Sequence, residues 1–439
     1  MAYSLIPAVV CALLLWWWWC MVRFKRTVEN VPTSKVKGVF IGLNEVKGNV
    51  ETSIPLVTYL AEGPAVWFSW SVEEHWRRTV TSTDGKGKTT TRTESGWKTV
   101  DSGGDMQDFY LRDSTGKLLI DPAGAKMEVP TTFEDECRPS DSLYYGKGPD
   151  HAVSNSTHRR RFTERALVPE DRIYVLGSAK LRDDVVAPMI AQDRREKYYL
   201  ISTRSEKQIV RGKGIGSAFV LLLAALVALA IPVVGLCVER HLDVEQVLSL
   251  HVDALVITGA AFFAVWGLLY LMMLFNGLIR VRNRLDRALS LIDVQLKRRH
   301  DLIPQLVACV KGATAHERDV QEMIARARTA AAGWGGIVKD AGKELRQDRD
   351  VVRRVFAIAE AYPDLKTDAN FKQLFEQLTD SEDRIELARA FYNDSLLALK
   401  NRLQTFPDVL VAKLFRFKPG TYLPAVHDEP EIASVPRVS

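Results

Sequence analysis

The stretch LLYLMMLFNGLIRVRNRLDRALSLIDVQLKRRHDLIPQLVACV, residues 268–310, decides the fold. Its first part is apolar enough to lie in a bilayer, and it runs without a break into an amphipathic pattern. No Gly or Pro separates Leu278 from Ile303, so one continuous helix leaving the membrane is the economical reading. Along it Leu278, Val281, Leu285, Ala288, Ile292, Leu296, Ile303, Leu306 and Val310 recur at steps of three and four, with Arg299 as the polar step. That spacing is a coiled-coil seam.

Working upstream, residues 252–275 and 215–238 are apolar spans, the second with Pro232 inside it, and residues 3–22 form an uncharged apolar run at the start of the chain. Each reaches the roughly 20 residues that a helix needs to cross a bilayer core. The first run lacks a basic leader and a small-residue cleavage site, which predicts an uncleaved anchor over residues 1–24. Trp16 to Trp19 cover every side of one helical turn just before Arg23, Lys25 and Arg26. An interfacial aromatic girdle fits them better than an aromatic ligand cage.

Basic residues flank the spans at Arg23, Lys25 and Arg26, at Arg204, Lys207, Arg211 and Lys213, and at Arg280, Arg282, Arg284 and Arg287. The loop between the second and third spans instead carries Glu239, Asp243, Glu245 and Asp253 against Arg240. The positive-inside rule then puts the N-terminus outside and both large domains in the cytoplasm. Two spans separate those domains, so they share a side.

Residues 35–211 read differently. Short β-rich runs at 36–41, 65–72, 109–112, 117–120, 172–176 and 197–201 are separated by turn-rich clusters such as residues 84–88, DGKGK. A mainly β domain is expected there. After Val310 the helical pattern continues through an alanine- and charge-rich run at 313–332, closed by Gly333, Gly335 and Gly336, and through 351–362, which ends before Pro363. A last long helix carries Phe371, Leu374, Leu378, Ile385, Ala388, Tyr392, Leu399 and Leu403 at seam spacing and halts at Phe406-Pro407. These helices fill residues 276–417, and the Pro-rich residues 418–439 read as a disordered tail.

Composition excludes some classes. A net charge of +5 from 59 basic and 54 acidic residues is too small for a nucleic-acid footprint. The five cysteines, Cys11, Cys20, Cys137, Cys237 and Cys309, have no paired spacing, which excludes a disulfide framework and a zinc ribbon.

Phe275-Asn276-Gly277-Leu278, Ile292-Asp293-Val294-Gln295-Leu296-Lys297-Arg298-Arg299 and Asp301-Leu302-Ile303-Pro304 resemble the LemA family. So do Ala315-His316-Glu317-Arg318, Ala359-Glu360-Ala361-Tyr362-Pro363-Asp364-Leu365-Lys366 and Phe391-Tyr392-Asn393-Asp394, and the resemblance runs from about residue 260 to 420. It implies an antiparallel helical bundle tethered to a membrane. Members are not known as enzymes, and one branch is associated with forming magnetosome membranes.

Upstream, Glu73-Glu74-His75-Trp76, Phe109-Tyr110-Leu111-Arg112-Asp113, Ile120-Asp121-Pro122-Ala123-Gly124-Ala125, Arg172-Ile173-Tyr174-Val175-Leu176-Gly177 and Tyr198-Tyr199-Leu200-Ile201 resemble the GIDE family. That family is named for a mitochondrial E3 ubiquitin ligase with a similar domain between two transmembrane helices, facing the intermembrane space. Its transfer activity belongs to a RING, which needs about eight paired Cys and His ligands. After the second span this chain offers Cys237, Cys309 and scattered histidines, so no RING is expected.

Cys137, His151 and His158 with Glu134 or Glu136 could gather round a metal, but their spacing matches no ligand frame, which favours ordinary loop residues. His316-Glu317 lacks the second histidine of a helical zinc peptidase. Gly212, Gly214 and Gly216 precede a membrane helix instead of following a strand, against a phosphate cradle. Arg159-Arg160-Arg161 reads as a solvated turn before a lipid-head-group site. No catalytic, cofactor or metal residue is therefore named.

The expectation is a multi-domain membrane protein with three transmembrane helices, a mainly β GIDE-like domain and an all-α LemA-like antiparallel helical bundle. Its function would be that of a scaffold or interaction protein, with membrane lipids and unidentified proteins as partners, self-association through the bundle, and no nucleic acid. The alternatives are an accessory to ubiquitin-like or proteolytic machinery and an enzyme hidden in the β domain.

Overall fold

The computed structural model describes residues 2–83, 89–182, 187–194, 198–240, 245, 247, 251–313, 368–418 and 420. The chain divides into two units, Thr33–Gly214 and the combination of Met1–Pro32 with Ile215–Ser439. The first is β-rich and the second helical.

In the β unit five strands close on themselves. Gly42–Glu51 pairs with Phe109–Arg112, that strand with Lys117–Ile120, then Pro188–Ala191, then Arg172–Leu181, which pairs back onto Gly42–Glu51. Closure removes the edges on which a short sheet would aggregate. Alternation fills the ring. Phe109 and Leu111 point in while Tyr110 and Arg112 point out, and Val46, Val50, Leu118, Ile120, Ile173, Val175 and Ile190 complete the core.

The run expected as a strand at 36–41 is a short 3-10 turn, Val36–Gly38. Side chains rather than a sheet take its backbone donors: Val36 N–H donates to Asp113 Oδ2 at 3.0 Å and Lys37 N–H to Thr115 Oγ1 at 3.2 Å. Burial pushes the Asp113 carboxyl up, but hydrogen bonds from Thr115 and from the Val36 and Gly116 N–H groups outweigh it and hold the carboxyl below its ordinary value.

A second sheet has the order Thr131–Cys137, Ser156–Leu167, Trp67–Thr83, Thr89–Met106, antiparallel throughout. Thr89–Met106 is an edge strand 18 residues long. Arg92, Glu94, Lys98, Asp101 and Asp105 stud it, a charge density that discourages edge-to-edge aggregation.

Both chain ends of the β unit are tied by one buried carboxylate. Glu45 accepts from Thr33 Oγ1 at 2.6 Å and Tyr174 OH at 2.9 Å and pairs with Lys47 at 2.9 Å, and Lys47 also bridges to Glu206 at 2.9 Å. Burial raises the Glu45 carboxyl above its ordinary value despite these partners.

In the helical unit, Ala2–Asn30, Glu206–Arg240 and Val252–Ala313 each contain a run long and apolar enough to cross a membrane. Most of that apolar surface faces outward, at Leu5, Leu13, Phe219, Leu222, Val256, Phe263 and Leu268 among others, as lipid contact requires. Small residues on the second helix meet the first: a Cβ on Gly216 would lie against Met21, Val220 packs with Trp18 and Val22, and Ala224 and Ala228 with Cys11 and Leu15. Small side chains let the backbones approach where the hydrophobic effect supplies no drive. Phe262 of the third helix joins the same cluster. The tryptophan run splits accordingly. Trp18 is buried against Trp266 and Tyr270, while Trp16 and Trp17 are exposed.

Val252–Ala313 is unbroken over 62 residues and carries Pro304 inside it. Leu278, Val281, Leu285, Ala288, Ile292, Leu296, Ile303 and Leu306 are all buried. They face the helix Ala369–Gln404, whose Phe371, Leu378, Ile385, Ala388, Tyr392, Leu396 and Leu399 are buried in turn. Contacts fix an antiparallel pairing: Gly277 lies against Arg402, and Arg299 pairs with Glu382 at 2.7 Å. Leu374 and Leu403, expected in the seam, are half-buried. The expected helices at 313–332 and 351–362 and the tail lie outside the described residues, except Ala313, Lys418 and Gly420.

Candidate functional site

The three consecutive arginines are not a turn. They lie in the strand Ser156–Leu167, and alternation sends Arg159 and Arg161 to one face and Arg160 to the other. Arg160 is fully buried opposite Glu74, also fully buried, with Nη2 to Oε2 at 3.3 Å. Tyr144 OH donates to Glu74 Oε1 at 3.2 Å and Ser156 Oγ donates to the same oxygen. Arg160 donates further to the carbonyls of Tyr144 at 2.8 Å, Pro149 at 2.7 Å and His151 at 3.2 Å, and lies 4.0 Å over the Tyr144 ring. The guanidinium thereby pins the segment 144–151 onto the sheet. Arg160 is not solvated, because Glu74 of the neighbouring strand and the carbonyls of the covering loop supply its partners.

A neighbouring buried carboxylate does similar work, since Glu164 accepts the backbone N–H groups of Leu60 at 2.7 Å and Ala61 at 3.2 Å. Between these fixed loops an open groove of roughly 500 Å³ is lined by Val57, Thr58, Tyr59, Glu62, Phe68, Trp70, Gly104 and Lys147. Its walls are preformed: Tyr59 stacks on Trp70 at 4.5 Å, and Lys147 bonds Glu62 at 2.8 Å while lying 4.8 Å over the Tyr59 ring. Its lining thus combines stacked aromatic rings with one ion pair. Sequence reading missed the groove, because its residues are spread from 57 to 147 and only Phe68 and Trp70 belong to a recognisable strand.

On the opposite face of the sheet Trp97 is an aromatic platform. Arg161 lies 4.1 Å and Arg159 5.8 Å from its centroid, His75 meets it edge-on at 5.1 Å, and both arginines pair with Glu136.

Cys137, His151, His158 and the neighbouring glutamates do not gather around one point. Cys137 is buried beside Arg160 in the sheet, and burial pushes its thiol up to about 11, leaving it protonated and a poor ligand at neutral pH. Glu134 pairs across from Thr163, Glu136 is held by the two arginines, and His151 and His158 are exposed. Among the described residues no three His, Cys, Asp or Glu side chains group as a metal site would require. Gly212, Gly214 and Gly216 sit inside the helix Glu206–Arg240, so they cradle nothing. His316 and Glu317 lie outside the described residues.

The fold thus defines a membrane protein with a β unit, a helical hairpin and three membrane-length helices. Residues 288–439 match the LemA family, and residues 77–235 match GIDE, described as E3 Ubiquitin ligase. The chain therefore joins a GIDE segment to a LemA segment. Each match begins after the first of its resembling motifs, leaving out Phe275-Asn276-Gly277-Leu278 and Glu73-Glu74-His75-Trp76, and takes in all the others. No curated protein matches the chain.

Proposed function

We propose that the chain is a membrane-anchored scaffold that presents its β unit and helical hairpin to protein partners, self-association through the hairpin included. One observation carries this reading. The Val252–Ala313 helix makes a membrane-length apolar run and one arm of the hairpin parts of the same unbroken rod. Such a rod fixes a protein surface to the bilayer without a flexible link. The preformed aromatic groove supports a partner that inserts a side chain or a flat group. A second reading, an accessory to ubiquitin transfer, has the GIDE match as its support.

A pull-down from membranes separates the two, since the accessory reading requires a catalytic enzyme as partner; a ligase proper is tested by assay. The purified full-length protein is expected to transfer no ubiquitin with a panel of E2 enzymes and to hold no stoichiometric zinc by elemental analysis. Transfer activity accompanied by bound zinc would contradict the scaffold and favour a ligase.

The orientation we propose follows the basic clusters, with the N-terminus outside and the β unit and the helical hairpin both cytoplasmic. Reporter fusions after Gly212 and after Arg416 should both behave as cytoplasmic. Alkaline phosphatase activity at either position would reverse the assignment.

A further inference from the structure

The hairpin ends in a short helix, Asp408–Leu414, whose two faces differ sharply. Asp408, Val411 and Ala412 are buried. The other face leaves Leu410 56% and Leu414 72% exposed one turn apart, with Phe406 at 76% one turn earlier and Phe415 at 54% beside them. Lys413, Arg416 and Lys418, all exposed, interleave with these apolar groups. Four large apolar side chains in so short a segment are costly in water.

The position of this helix is set by the membrane-length helices. Asp408 accepts from Arg402 at 2.9 and 3.0 Å and from Arg26 at 3.2 Å, and Arg26 also donates to Tyr270 OH at 3.2 Å. The absence of a side chain at Gly277 leaves room for the Arg402 guanidinium. Phe275, at the end of the third apolar run, packs against Phe415 at 4.6 Å and Phe417 at 5.9 Å. All these contacts fall where the apolar runs of the first and third helices give way to charge.

We propose that Asp408–Leu414 with its flanks is a lipid-docking element: Phe406, Leu410, Leu414 and Phe415 enter the boundary of the leaflet that the Val252–Ala313 helix leaves, and Lys413, Arg416 and Lys418 contact anionic headgroups. An apolar face with interleaved cations is the chemistry of an interfacial helix. Contact with Phe275 makes a lipid surface, rather than a soluble protein, the occupant. The C-terminal end of the hairpin is thereby returned to the bilayer, so the LemA-type module touches the membrane where its chain enters and again where its second helix ends.

The test is photo-cross-linking of the full-length chain in vesicles of phosphatidylcholine and phosphatidylglycerol. Benzoylphenylalanine replaces, one at a time, Phe406, Leu410, Leu414, Leu268 in the third span and the exposed Glu386 on the return helix. After irradiation, intact mass should rise by one phospholipid at 406, 410, 414 and 268 and stay unchanged at 386. Lipid adducts at 268 with none at 406, 410 and 414, or protein adducts at those three, would overturn the proposal while leaving the span in place. Loss of the adduct at 268 as well would overturn it together with the membrane assignment of the third helix.

Discussion

Arg160→Met is expected to destabilise the β unit of the full-length protein by about 3 to 5 kcal/mol, the cost of stranding the partner of a buried ion pair. Glu74 would keep only the hydroxyls of Tyr144 and Ser156 for a carboxylate whose side chain is 0% exposed. The segment 144–151 would lose three carbonyl acceptor contacts at the same time. Replacing both members, Glu74→Leu with Arg160→Met, removes the stranded charge and should regain most of the loss. Arg161→Gln, on the open face, should cost no more than about 1 kcal/mol. Urea unfolding in detergent, followed by tryptophan fluorescence, measures all three. A loss for Arg160→Met no larger than for Arg161→Gln would mean that the pair is solvated after all.

The second large effect lies in the hairpin. Leu285 and Ile292 are 6% and 1% exposed between the two long helices, and truncating either to Ala should cost about 2 to 5 kcal/mol. Arg287 is exposed and Arg287→Gln should leave the helical signal unchanged. Arg284, also away from the seam by spacing, is no neutral control, since its guanidinium bonds the Asn30 carbonyl. Thermal circular dichroism of the full-length variants in detergent reads the difference. Equal midpoints for Leu285→Ala and Arg287→Gln would remove the hairpin core from this helix face.

These two sites show what the sequence discloses and what it hides. Leu285 and Ile292 were legible because a helix writes its buried face locally, every three or four residues. Phe109–Arg112 and Lys117–Ile120 were legible at their observed bounds for the same kind of reason, strand alternation across a turn built on Asp113. Thr89–Met106 was not, since nearly all of it is exposed and polar and no apolar period marks it. Arg160 looks solvated in the sequence because its partners, Glu74 and Tyr144, lie 86 and 16 residues away. Ring closure by Gly42–Glu51 and Arg172–Leu181 is likewise a long-range pairing that neither strand announces alone. The groove at Tyr59, Trp70 and Lys147 exists only once those pairings are made.

The scaffold itself is tested most directly by cross-linking mass spectrometry on native membranes at natural abundance. The account predicts reproducible intermolecular links from the β unit or the hairpin, to a recurring protein or to a second copy of the chain. Links confined to single chains, with the protein recovered as an isolated monomer, would contradict it.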